Sequence, residues 1–225
     1  MGKINIISHS DEPFKNRAEA GSLLAGALHA IKNERPVVLG IPRGGVVVAR
    51  ELSRLLNADL DIVLSHKLGA PRNPELAVGA ISESGRIFLD DRITSLTGAD
   101  GEYLKDEAKR QSAEIKRRAE AFRKMLPKRA LAGRTAVITD DGVATGATMQ
   151  AALWAARQEK PKRLIAACPV ASSEAVERIA GYCDEVICLR LPDFFGAVGQ
   201  FYINFGQTTD EEVIAILKEE SVRRQ

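Results

Sequence analysis

Apolar residues along this chain recur with two different periods. Phe14, Ala18, Gly21, Leu24, Ala25, Leu28 and Ile31 fall at three- and four-residue steps. That is the spacing of one helix face, and it predicts a helix from Phe14 to about Glu34, ended by Pro36. Val37-Val-Leu-Gly-Ile-Pro42 is a short unbroken apolar run, as expected of a strand buried on both faces. Arg43-Gly-Gly45 follows, and Val46 to Leu56 reads as a helix. Asp61 to His66 reads as another strand, and Lys67 to Glu75 as a loop because of its Gly and Pro punctuation. Ala77–Ser82 and Arg86–Leu89 form a predicted hairpin turning at Glu83-Ser-Gly85.

The second half repeats the alternation. Gly101 to about Leu126 is a long helical pattern with Leu104, Ala108, Ile115, Ala119 and Phe122 on one face. An apolar run then stops at Asp140-Asp141, followed by a loop of small and hydroxyl residues and a helical pattern from Met149 to Ala156. Arg163–Val170 is a strand, Ser172–Ala180 a helix with Ser172 or Ser173 as its cap, and Glu185–Leu191 a strand. Pro192 to Phe205 is irregular and aromatic-rich, and Asp210–Lys218 is an amphipathic helix capped near Thr209. Strands alternating with helices predict an α/β fold with a mostly parallel central sheet and helices on both faces.

Composition narrows this picture little. Of 225 residues, 45% are hydrophobic and 28% charged, a globular balance, and a net charge of +2 gives no general case for nucleic-acid or membrane binding. Cys168, Cys183 and Cys188 lie in or near apolar runs without CxxC spacing, so buried thiols are expected rather than a zinc site. The first residues lack a signal-peptide apolar core, and no apolar run approaches the ~18 residues of a membrane span. The chain is expected to be cytoplasmic. One charge cluster stands out. From Glu102 through Arg129 there are ten basic residues against five acidic ones, read as a solvated, ion-paired face with nucleic-acid contact as the alternative.

Candidate chemistry concentrates where strands end. In parallel α/β sheets, ligands bind beyond the carboxyl ends of the strands. Three loops leave such ends: Arg43–Gly45, His66–Glu75 and Asp140–Thr148. The last couples two carboxylates to a glycine-containing helix N-terminus, whose amides and dipole suit an anion. A sugar phosphate would satisfy both halves. The other loops supply Arg43, Lys67 and Arg72. The histidines are scattered, and only His66 lies near these loops.

Asp140-Asp-Gly-Val-Ala-Thr-Gly-Ala-Thr148 and the apolar run before it are similar to the phosphoribosyl-pyrophosphate (PRPP) binding motif of type I phosphoribosyltransferases. Phe14–Gly21, Leu39–Gly45, Asn73–Glu75 and Asp210–Val213 resemble segments of a bacterial branch of that family. Thr139 and Gly142 stand where the family has apolar residues, and Asn16 where it has Asp.

The resemblance implies one phosphoribosyltransferase-like domain over 1–225. Its core would span about 36–191, with a small hood from 192–225 that the N-terminal segment could join. It implies that Asp140 and Asp141 take the ribose hydroxyls, and that Val143, Ala144, Thr145, Gly146, Ala147 and Thr148 hold the 5′-phosphate. Arg43, Gly44 and Lys67 would hold pyrophosphate, and Mg²⁺ would bridge substrate oxygens, with no direct protein ligand assigned. Asp140, Asp141, Arg43 and Lys67 are thus the catalytic candidates, and Phe194 and Phe195 the candidates for stacking on a base. The expected reaction moves the 5-phosphoribosyl group to a nitrogenous acceptor, a nucleobase foremost, in a soluble enzyme for which a homodimer remains open. The alternative is a PRPP-sensing regulator that binds nucleic acid through the basic 102–129 helix.

Overall fold

The computed structural model describes residues 2–223, Glu75 by its backbone alone. The chain begins with β1 (Lys3–Ser8), α1 (Arg17–Ala27), β2 (Val37–Gly40), α2 (Gly44–Leu55) and β3 (Asp59–Ile62). An insertion follows: β4 (Ser65–Ala70), β5 (Asn73–Ser82), β6 (Ile87–Leu89), α3 (Asp91–Thr97) and α4 (Gly101–Phe122). Alternation resumes with β7 (Thr135–Thr139), α5 (Ala147–Arg157), β8 (Arg163–Val170), α6 (Ser173–Ile179), β9 (Glu185–Arg190) and α7 (Asp210–Arg223).

Six strands form one sheet in the order β1-β9-β8-β7-β2-β3, every neighbouring pair parallel. Alternate residues face opposite sides, so both faces must be covered. Val38, Val137, Ile165 and Ile187 belong to the core shared with α1, α2 and α7. Leu39, Ile138, Ala166 and Val186 belong to the core shared with α5 and α6. The order reverses between β2 and β7: β2 leads outward to β3, while β7 leads the other way through β8 to β9. That is the topological switch point where α/β sheets open a crevice.

The structure departs from the periodicity in four places. The predicted 14–34 helix is α1 followed by a 3₁₀ segment at His29–Glu34, ended by Arg35 in the left-handed region (φ 47°). The predicted 61–66 strand is divided, because β3 stays in the main sheet and β4 turns into a second, antiparallel sheet of order β4-β5-β6. The expected 67–75 loop is a correction: β4 and β5 pair through it, turning at Pro71-Arg72. Its Gly and Pro mark a bulge. The register shifts on both sides of Gly69, and a Cβ there would lie 2.7 Å from the Pro74 carbonyl oxygen. Finally, β1 and α3 are elements the pattern did not predict.

The segment before α1 meets the segment before α7. Phe14 N donates to Phe201 O (2.8 Å) and Ile203 N to Phe14 O (2.8 Å), so residues 14–15 pair with 201–204. Beyond this, α7 returns to the core, burying Val213 and Leu217. Among the described residues no helix is long and apolar enough to cross a membrane.

Candidate functional site

The two loops at the switch point leave the sheet level with each other. Gly40 is in register with Thr139, and Ile41 N donates to Thr139 O at 2.9 Å. After β2 the chain passes Pro42 and Arg43, joined by a cis peptide, and enters α2 at Gly44. This turn is pressed against the end of β7. A Cβ at Gly45 would lie 2.7 Å from Thr139 O, and one at Gly44 would overlap Asp141 Oδ2. Only glycine lets the Arg43 turn approach the acidic pair this closely.

After β7, Asp140 and Asp141 leave the sheet. Asp140 Oδ1 accepts from Asp141 N at 2.9 Å. Burial, then the neighbouring Asp141, push the Asp140 carboxyl well above its usual range. Asp141 has a different partner. Arg17 Nε lies 2.7 Å from its Oδ2, and the Tyr202 hydroxyl donates to its carbonyl at 2.5 Å.

The following loop is tied to the end of β8 and the cap of α6: Val143 N donates to Val170 O (2.9 Å) and Ser172 Oγ to Ala144 O (2.6 Å). Gly146, at φ 78°, turns the chain into α5, whose first amides carry the helix's positive end. Asp140, Val143–Gly146, Thr148 and Val198 border a recess of about 170 Å³. It is a polar pocket walled by a helix N-terminus, the arrangement that seats a phosphate.

A larger open depression of about 540 Å³ is bordered by Arg17, Arg43–Gly44, the acidic pair, Thr148, Phe205, Gln207 and Thr208. A third recess of about 160 Å³ adjoins it and contains Lys67. Arg43, Gly44, Asp140, Asp141, Lys67 and the 143–148 loop are therefore gathered at one place. Arg72, exposed at the β4–β5 turn, borders none of these three recesses. Phe194 and Phe195 do not line the depression either. Phe194 is 78% exposed, and Phe195 packs on Phe201 with ring centroids 5.1 Å apart.

Sequence reasoning missed Arg17 and, within the aromatic-rich 192–205 stretch, singled out Phe194 and Phe195 rather than Tyr202 and Phe205. Arg17, at the start of α1, bridges Asp141 and the Gly206 carbonyl (2.8 Å), with its guanidinium 4.1 Å from the Phe205 ring centroid. Tyr202 stacks on Phe205 at 5.2 Å. Arg17 does lie in the Phe14–Gly21 segment, but a lone Arg at a helix start reads as a solvated charge until the fold brings Asp141 to it.

An acidic pair, a recess at a helix N-terminus and a cationic turn meet at the switch point of a parallel sheet, the crevice in which α/β domains bind ligands. The chain belongs to the phosphoribosyl transferase family, whose phosphoribosyl transferase domain it matches over residues 14–205. It is 46% identical over 204 residues to two Mycobacterium tuberculosis proteins provisionally named phosphoribosyl transferases, MT0597 of strain CDC 1551 and Rv0571c of strain H37Rv. The match covers 91% of this chain and 46% of each relative, so the chain spans about half the length of these curated relatives. The crystal structure of TT1426 from Thermus thermophilus is similar at 52% identity and a TM-score of 0.86, covering 92% of this chain and 98% of that one.

Proposed function

We propose that this depression binds PRPP and transfers its 5-phosphoribosyl group to a nitrogenous acceptor, a nucleobase foremost, releasing pyrophosphate. The observation that carries the reading is the apposition of Asp140-Asp141 to the 143–148 loop on one side and the Arg43-Gly44 turn on the other. A 5-phosphate in the 170 Å³ recess would receive the loop amides and the Thr145 and Thr148 hydroxyls. The ribose hydroxyls would then meet the acidic pair, and the pyrophosphate would face Arg43, Gly44 and Lys67.

In the reaction the acceptor nitrogen forms a bond to ribose C1 as the bond from C1 to pyrophosphate oxygen breaks. The acceptor nitrogen then passes its proton to the departing pyrophosphate or to solvent. Positive charge builds on the sugar beside Asp141, while negative charge on the leaving group is met by Arg43 and Lys67. No protein nucleophile is required.

Among the described residues no cluster of three or more His, Cys, Asp or Glu could hold a metal. Two carboxylates beside a phosphate-bearing substrate nevertheless suit Mg²⁺, which keeps waters and binds through one or two carboxylates plus substrate oxygens. Asp140 and Asp141 would hold it through its waters, and it would add charge compensation at the pyrophosphate. For the acceptor, the Phe205–Thr208 segment replaces Phe194 and Phe195 as the proposed wall, because it borders the depression and they do not. Its backbone and the Phe205 ring could meet a planar base.

Incubation with PRPP, Mg²⁺ and a panel of purine and pyrimidine bases is expected to release pyrophosphate with at least one acceptor. Asp141→Asn should lose most of that turnover, on the order of a hundredfold or more, as expected for an electrostatic group at a developing charge. PRPP binding without turnover across the panel would reject the nucleobase acceptor. An Asp141→Asn variant with undiminished activity would place the chemistry elsewhere.

A further inference from the structure

The recess beside Lys67 has a wall that the family motifs do not supply. It is bordered by Pro42 from the cationic turn, Thr148 from the first turn of α5, His66 and Lys67 from β4, and Arg118 from α4. It shares Ile41, Pro42 and Thr148 with the larger depression, so the two are continuous around Pro42. Its charged side chains are Lys67 and Arg118, and among the described residues no carboxylate borders it. Ile41, Val63 and Leu64 complete an apolar part of the lining, so it is the two cations that suit this recess of about 160 Å³ to a compact anion.

Arg118 reaches this position because α4 lies along the insertion's sheet. Ala108, Ile115 and Phe122 bury one side of the helix in the core. On the side toward β4, Gln111, Glu114 and Arg118 follow at three- and four-residue steps. Gln111 Oε1 lies 2.8 Å from His66 Nδ1, which ties the helix to the strand. Arg118 Nε lies 2.8 Å from Glu114 Oε1. Hydrogen bonding from Arg117, reinforced by Arg118, holds the Glu114 carboxyl down at about 2, so Glu114 remains an anion that braces Arg118 at working pH. The ion pair is through Nε, which makes no hydrogen bond there, and a guanidinium presents its terminal amino groups in the fork that matches phosphate.

We propose that Arg118 is a binding residue for the leaving pyrophosphate, contacting its distal phosphate in the recess shared with His66 and Lys67. The inference rests on the PRPP reading and extends it to a residue outside every motif in the chain. Its consequence is mechanical. The pyrophosphate corner is closed by a long helix anchored in the core rather than by the turn after β2 alone, and the insertion between β3 and β7 becomes part of the donor site.

The test is equilibrium binding of inorganic pyrophosphate and of ribose 5-phosphate, each with Mg²⁺, to wild type, Arg118→Gln, Arg118→Lys and Lys116→Gln. Lys116 is exposed on the same helix and controls for general loss of positive charge. Arg118→Gln is expected to weaken pyrophosphate binding roughly tenfold or more, the effect of one lost charge-assisted hydrogen bond. Ribose 5-phosphate binding should stay within about twofold, because its phosphate occupies the other recess. Arg118→Lys should recover part of the loss, and Lys116→Gln should show none.

Pyrophosphate binding by Arg118→Gln within twofold of wild type overturns the proposal while leaving PRPP binding intact. So does an equal loss of both ligands, which would mark a structural effect. Wild-type protein that binds neither ligand overturns the PRPP reading and this inference with it.

Discussion

Asp140 and Asp141 are adjacent in the chain and differ in almost every physical respect. Asp141 has a guanidinium at 2.7 Å, whereas desolvation and its neighbour raise Asp140 above its ordinary value of 3.8. A carboxyl whose folded value is raised contributes its full stability below the unfolded value and loses it as pH climbs through the folded one. At neutral pH Asp140 therefore destabilises the fold relative to an amide of the same shape. Asp140→Asn keeps an oxygen for the Asp141 amide and removes the titration. We expect it to raise Tm at pH 7 by a few degrees, on the order of 1 kcal/mol, with the advantage shrinking toward pH 4. PRPP turnover should fall in the same variant. Thermal melts across pH check this, and a variant less stable at pH 7 than at pH 4, relative to wild type, would contradict it. The acidic pair was legible because strand, carboxylates, small-residue loop and helix follow one another within a few residues. Arg17 was not, since its partner is 124 positions away and nothing local distinguishes it from a surface charge.

At the scale of elements, one arginine at the end of α4 ties the insertion to the end of β3. Arg123 Nη1 donates to Asp61 Oδ1 at 2.5 Å, Nη2 to the Ile62 carbonyl at 3.1 Å, and Nε to Glu83 Oε1 at 2.8 Å. Asp61 is fully buried in β3 and also accepts from the Arg129 amide at 2.7 Å. Removing Arg123 would leave a buried carboxylate without its cation, which costs about 3–5 kcal/mol. Arg123→Ala should lower the urea midpoint accordingly with little change in m, while Arg92→Ala, on an exposed residue of α3, should leave it within error. A loss below about 1 kcal/mol would show that Asp61 finds water or another donor. The pattern revealed the long helices and the buried strands of the main sheet, where period and burial agree. It missed β1, whose alternation is weak because the strand is an edge with exposed Ile4 and Ile7. It missed α3 because the helix is only seven residues long, although the Asp90 cap and the left-handed Gly98 are written in the chain. It took the β4–β5 turn for a loop because a bulge and a loop use the same Gly and Pro.

At the scale of the whole molecule, the contacts of the basic stretch weigh against a nucleic-acid-binding sensor. The switch point follows from alternating strands and helices, and the Arg43–Gly45 turn, the Asp140–Thr148 loop and Lys67 of β4 come together there. The basic 102–129 stretch needed the structure to be understood. Three of its arginines are engaged within the protein: Arg110 with Glu107, Arg117 with Glu114 and Asp210, and Arg123 with Asp61 and Glu83. Lys128 likewise meets Glu159 at 2.8 Å. A duplex phosphate backbone would have to displace these carboxylates, and a net charge of +2 supplies no long-range attraction to offset that. The protein is therefore expected to bind a 30-base-pair duplex or a single strand of that length only weakly at 150 mM salt. The dissociation constant should fall in the non-specific range of roughly 10⁻⁴–10⁻⁶ M or weaker and should not change with PRPP. A mobility-shift titration with and without PRPP measures both quantities. Tight binding that responds to PRPP would make α4 a recognition surface and put the alternative, a PRPP-sensing regulator, ahead of the transferase. Weak, PRPP-indifferent binding leaves α4 the role its contacts describe, a brace that carries Arg118 to the pyrophosphate corner.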